Sequence, residues 1–117
     1  MEPMDFAKAV AAAAANKKAT RPVLLDLRGH SDICDFQFIC SGSNIKQTAA
    51  IANEIESSFR KDGIRAAAVE GRQGGNWILM DYGSTLVHIF FEEVRDFYAM
   101  ESLWPDATTI DIPVAAE

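Results

Sequence analysis

The stretch from Glu70 to Phe91 constrains the fold of this chain more than any other. Two short apolar runs, Trp77 to Tyr82 and Thr85 to Phe91, flank the pair Gly83-Ser84, and the glycine-rich segment Gly71 to Gly75 leads into the first run. Runs rich in β-branched and aromatic residues joined by a glycine-first pair are the signature of a hairpin with a two-residue turn. The spacing therefore predicts a β-hairpin. Alternate side chains of a strand point to opposite sides, so Trp77, Leu79 and Asp81 share one face and Ile78, Met80 and Tyr82 the other. Neither face is polar throughout. Both need cover, one from the chain's own helices and the other from a partner.

A chain of 117 residues with 49% hydrophobic and 24% charged residues suits one globular domain with a single core. The domain is expected over residues 4–104, with 105–117 as a C-terminal tail. Seventeen acidic against eleven basic residues give a net charge of −6. That charge repels phosphate backbones, so little direct nucleic-acid contact is expected and a basic protein partner fits better. Cys34 and Cys40 lie in or beside an apolar segment with no secretion signal upstream, which predicts reduced thiols in a cytoplasmic protein. No apolar run reaches the ~20 residues of a membrane span. The alanine-rich N-terminus carries Glu2 and Asp5 and lacks arginine, unlike a signal or transit peptide.

Taken in order, the chain reads as α-β-β-α-β-β-β-α. Pro3 to about Lys18 is a helix, with proline at the first helical position, alanines of high propensity, and Phe6, Val10 and Ala13 or Ala14 as a thin apolar stripe. Strands follow at Val23–Leu27 and Phe36–Ser41. Asn44 is the N-cap of a second helix and Gln47 its capping-box partner. Ile45, Ala52, Ile55 and Phe59 mark the helix's buried face, Gly63 its C-cap, and Ile64 the residue that packs back on it. Ala66–Val69 is a small-residue strand, the hairpin comes next, and Glu92-Glu93 opens a helix that runs to Leu103 and Trp104 before Pro105. These elements predict an α/β (α+β) domain with a mixed five-stranded sheet flanked by helices.

Few of the chemically suggestive residues form a reactive set. A phosphate would suit the Ser41-Gly42-Ser43 turn at a helix start, with Lys46 in the first turn. Metal-dependent nucleotidyl transfer, however, requires closely spaced carboxylates on a nearby strand. No Asp-x-Asp occurs, and Glu54 and Glu56, the one Glu-x-Glu, diverge on a helix. His30, Cys34 and Cys40 lack a Cys-x-x-Cys pair and a fourth ligand, so no metal and no cofactor are expected. His88 reads as a packed strand histidine, although it is also the one candidate base for a nucleophilic Ser43 or Cys40. Trp77 has two readings, ordinary core or a protein-binding anchor beside Asp81 and Tyr82.

The chain also resembles the ribosomal silencing factor family, the Iojap-related proteins. The likeness runs through Asp35-Phe36, Ser41-Gly42-Ser43, Gln47 with Ala50-Ile51-Ala52, Glu70-Gly71, Gly75 to Gly83, Val87 to Phe90, Arg95 to Tyr98, and Glu101 to Trp104. It implies a nucleotidyltransferase-like fold without the catalytic carboxylates, in keeping with their absence here, and a protein that is not an enzyme. It also implies a translation repressor that binds the large ribosomal subunit through the fourteenth protein of the large-subunit series and blocks joining of the small subunit. Contact residues are then expected at Glu70, Trp77, Met80, Asp81 and Tyr82. A separate reading, from the exposed edge of the hairpin, is a homodimer of the free protein, since unpaired strands invite pairing. The alternative is a nucleotide-binding transferase using the Ser41-Gly42-Ser43 turn.

Overall fold

Alanine propensity and Pro3 set up α1, Pro3–Ala15, in the computed structural model, which describes residues 1–112. Its buried side is Phe6, Ala7, Val10, Ala11, Ala13 and Ala14, and the small methyl groups let the helix backbone lie close to the sheet. Phe6 supplies the bulk that alanine lacks, with ring centroids 4.7 Å from Phe59 and 5.2 Å from Tyr82. Helix α2, Ile45–Arg60, starts as the sequence predicts: the Gln47 amide donates to Asn44 Oδ1 at 2.8 Å. The Gln47 side chain does more than complete a capping box. Its Oε1 accepts from the Ser43 backbone and hydroxyl at 2.6 and 2.7 Å, and its Nε2 donates to the carbonyls of Lys17 and Lys18 at 3.1 and 3.2 Å. One glutamine thus joins the end of α1 to the start of α2. At the other end Gly63 N donates to Arg60 O and Ile64 N to Phe59 O, the bond pair of a Schellman stop, and Ile64 packs on the core.

The strands are β1 (Thr20–Asp26), β2 (Phe36–Gly42), β3 (Ala68–Glu70), β4 (Trp77–Asp81), β5 (Thr85–Phe91) and β6 (Thr108–Ile110), in the order β3-β4-β5-β2-β1-β6. Central β2 and β5 run parallel and every other pair is antiparallel. A parallel pair needs a long crossover, and α2 lies within it. Buried along its whole length, β2 is covered on both faces.

Among the described residues the sheet has six strands, not the expected five. The sixth falls in the expected tail, where Thr108, Thr109 and Ile110 pair with Asp26, Leu25 and Leu24. Three residues are too few to show a strand period, and what makes them a strand is the open edge of β1. The small-residue strand is also shifted, to Ala68–Glu70 at the opposite edge. Helix α3, Glu92–Tyr98, stops earlier than expected because Ala99 turns left-handed at φ 48°, and a 3-10 turn, Met100–Leu103, follows.

Two apolar layers result. Helices α1 and α2 cover Leu24, Phe36, Phe38, Cys40, Ile78, Met80, Val87 and Ile89 on one face. The other face holds Leu25, Leu27, Ile39 and Phe90, covered by Val94 of α3, Met100, Trp104 and Ala107. Because α3 packs chiefly on β5 and β2, this second cover thins towards the β3–β4 end, where Leu79 joins neither apolar cluster.

Candidate protein-docking face

The glycine-rich loop fixes where β4 begins. Gly71 has φ +81°, and a Cβ there would lie 2.0 Å from the Trp77 carbonyl oxygen. Gly75, at φ +75°, would press a Cβ on Ile45, and its carbonyl accepts from Thr48 Oγ1 at 2.8 Å. Arg72 bonds Asn53 and reaches Glu56 at 3.2 Å, so the loop is clamped to α2. After it the hairpin follows the predicted alternation, with Trp77 opposite Phe90, Leu79 opposite His88 and Asp81 opposite Leu86. The two-residue turn forms as predicted, Tyr82 N donating to Thr85 O at 3.0 Å.

On the second face Trp77 is half-buried in an aromatic stack: its ring centroid lies 5.2 Å from Phe90, 4.6 Å from Tyr98 and 5.9 Å from His88. Its indole N–H donates to His88 Nδ1 at 3.1 Å. An indole nitrogen can only donate, so Nδ1 is the acceptor and the neutral ring carries its proton on Nε2. That buried Nε2 meets no protein acceptor among the described residues. His88 is only 3% exposed, and burial pushes its pKa down to about 4. It is the packed residue of one sequence reading, held neutral.

Of the five expected contact residues, Glu70, Trp77 and Asp81 come together on this face. Glu70 pairs with Leu79 in the β3–β4 ladder and is exposed, and Asp81 is half-buried. Asp81 also has a structural task the sequence does not disclose, since its Oδ1 accepts from Gly83 N at 2.8 Å and so braces the hairpin turn. Met80 and Tyr82 lie on the opposite side, and the strand period is the reason. Met80 is fully buried under the helices, and Tyr82 packs on Phe6 and Phe59, where burial raises its pKa.

Leu79 shares this face but is not among the five expected residues. It stands between Trp77 and Asp81, half-buried yet part of neither apolar cluster. The alternation of the strand already placed it there. From Trp77 the aromatic surface continues through Tyr98 to Phe97, which is 84% exposed.

The reactive-looking residues are occupied elsewhere. Ser41 is buried with Oγ accepting from Arg95 Nη1 at 2.9 Å, and Ser43's amide and hydroxyl both donate to Gln47, so donors a phosphate would need are already bonded. Cys40 sits in the helix-side core with its pKa pushed up to about 12 by burial, and Cys34 lies in the other layer, also raised by burial. Among the described residues no three His, Cys, Asp or Glu side chains converge as metal ligands, and no helix is long and apolar enough to cross a membrane. A cleft of about 210 Å³ beside the hairpin turn is lined by Ser31 to Asp35, Gly83 and Ser84, without a histidine.

Fold and face together define a class: a small α+β domain that presents a partly covered aromatic sheet face rather than a cleft of reacting groups. The chain belongs to the ribosomal silencing factor family, since the family model described as "Ribosomal silencing factor during starvation" matches residues 1–117. It is 39% identical over 97 residues to ribosomal silencing factor RsfS of Halalkalibacterium halodurans, covering 83% of each chain. It is 37% identical over 112 residues to RsfS of Bacillus subtilis, covering 96% of this chain and 95% of that one. A crystal structure of a Chromobacterium violaceum protein superposes with a TM-score of 0.87 at 26% identity, over 100% of this chain and 98% of the other. The two RsfS relatives are named as silencing factors rather than as enzymes.

Proposed function

We propose that the protein represses translation in the cytoplasm by docking the β4 face on a protein of the large ribosomal subunit, the fourteenth of the series, and so occupying the surface where the small subunit joins. The observation that carries the contact assignment is the incomplete cover of the second sheet face at Leu79 and Trp77. An aromatic anchor flanked by an aliphatic side chain and rimmed by carboxylates, here Glu70 and Asp81, is the composition of a protein-binding hot spot suited to a basic partner. Occlusion needs no chemistry, only tighter binding than the competing subunit bridge.

Co-sedimentation with isolated large subunits, together with light scattering of subunit joining, tests the function; sedimentation with small subunits alone, or undiminished joining at saturating protein, refutes it. Leu79→Ala tests the face. It should keep the urea midpoint close to that of the wild type yet weaken binding by about 1–2 kcal/mol or more, as an interface aliphatic does. Trp77→Ala should weaken binding by about 2 kcal/mol or more and also lose stability, because His88 Nδ1 is left unpaired at roughly 1–3 kcal/mol. Met80→Ala is the control. It should cost about 2–5 kcal/mol of stability while the folded fraction binds normally.

A further inference from the structure

Helix α3 is seven residues long and has no side-chain N-cap, so little of its placement comes from its own helical stability. Yet it supplies Tyr98, the ring nearest Trp77 in the aromatic stack. What fixes it is a buried arginine. Arg95 is 1% exposed, and its Nη1 donates to Ser41 Oγ in β2 and to the carbonyl of Arg21 in β1. Arg21 sits where the β1–β2 register slips between Thr20 and Val23 and takes a left-handed φ of 50°, an unfavourable value for a residue with a side chain. The bulge turns a strand carbonyl out of the ladder, where the guanidinium meets it. The acceptors belong to two neighbouring strands, and both N–H groups of Nη1 lie in the guanidinium plane, so the two bonds together fix how that plane is turned.

We infer that Arg95 is a positioning residue for the docking face: latched to Ser41 and to the β1 bulge, it sets the angle of α3 that lays Tyr98 against Trp77. This gives Ser41 a task within the Ser41-Gly42-Ser43 turn that has nothing to do with phosphate, and it gives the bulge at Arg21 a reason to persist. Val94, the neighbouring residue, supplies α3 with apolar adhesion, which is not directional. Arg95 supplies the direction. With the latch in place the free protein holds the Trp77–Tyr98 pair in one arrangement, and a partner need not order it on binding. The inference rests on the proposed use of this face for docking, but the latch itself can be read without a ribosome.

The test is made in the full chain carrying Trp104→Phe, so that Trp77 is the sole tryptophan and is read in the long-wavelength tryptophan bands of near-ultraviolet circular dichroism and in selectively excited tryptophan fluorescence. Four variants are added: Arg95→Met, Ser41→Ala, Val94→Ala and Tyr98→Ala. Arg95→Met should move the Trp77 signal towards that of Tyr98→Ala and weaken large-subunit binding by up to roughly tenfold, the scale of reordering one or two interface side chains. Ser41→Ala, which removes one acceptor and keeps the arginine, should give a smaller shift of the same sign. Val94→Ala should lower the urea midpoint and leave the Trp77 signal in place. If Arg95→Met does not fold, Ser41→Ala decides. An unmoved Trp77 signal in the folded latch variants overturns the inference, as does a Val94→Ala shift as large as theirs. Failure of the wild-type chain to bind large subunits would instead refute the docking reading, and the Trp77 signals would still judge the latch.

Discussion

His88 is a residue whose side-chain chemistry is fixed by its neighbours. The Trp77 indole occupies Nδ1, burial keeps the ring neutral, and the folded pKa falls to about 4 against about 6.5 in an unfolded chain. The unfolded state therefore binds a proton that the folded state does not between those two values. Stability from this group is complete above about pH 6.5 and is lost as the pH falls towards about 4, a total of about 3 kcal/mol by linkage. Urea unfolding followed from pH 7 to pH 4 should show that decline, and His88→Gln should flatten it, whatever its stability at pH 7. A wild-type stability independent of pH across this window would mean that the ring is solvated. The sequence discloses a histidine among Val87, Ile89 and Phe90; the neutral tautomer depends on Trp77 lying opposite Phe90 and one row from His88, which only the strand register reveals.

At the scale of elements, the loop before β4 does more to place the face than the strand itself. A Cβ at Gly71 would strike the Trp77 carbonyl at 2.0 Å, whereas one at Gly74 would meet nothing within 4 Å. Gly71→Ala should therefore cost at least about 2 kcal/mol, from backbone collision and left-handed strain. Gly74→Ala should stay within roughly 1 kcal/mol of the wild type, because its Cβ meets open space and the unfolded chain is restricted. Equal urea midpoints for the two would show that the loop adjusts freely. The hairpin, the start of α2 and its Schellman stop were legible in the sequence because each rests on local chemistry: Gly83-Ser84, Asn44 with Gln47, Gly63 with Ile64. Strand β6 and the bulge at Arg21 were not legible, because each exists through a distant neighbour, the edge of β1 in one case and the side chain of Arg95 in the other. Met80 and Tyr82 misled for a different reason. They share the hairpin's aromatic and aliphatic composition with Trp77, and composition is blind to the face that the period assigns.

For the whole molecule, net charge and its distribution decide what kind of surface can be bound. The total of −6 conceals eleven basic residues that, if gathered, would still form a phosphate-binding patch. Five of them, all arginines, are engaged within the fold. Arg28 pairs with Asp26 at 2.7 Å and Arg21 with Asp96 at 2.9 Å; Arg60 and Arg72 share Glu56 at 3.1 and 3.2 Å, and Arg95 is buried. Lys46 opens α2 and Arg60 closes it, about 21 Å apart along the helix at 1.5 Å per residue. The set Lys46, Arg60, Lys61 and Arg65 therefore does not make a single patch. Few counterions should be released on binding, and affinity for the large subunit should fall with salt at a log–log slope of magnitude below about 2, against roughly 0.9 per neutralised phosphate. A weak dependence should remain, since Glu70 and Asp81 rim the face and charge pairs with a basic protein are screened over about 10 Å at 0.1 M salt. Titrations of labelled protein with large subunits at several potassium concentrations and fixed magnesium measure the slope. A magnitude near about 5 would mean that ribosomal RNA phosphates carry the complex, which would move the contact away from the acidic β4 face and towards the lysines at the ends of the helices.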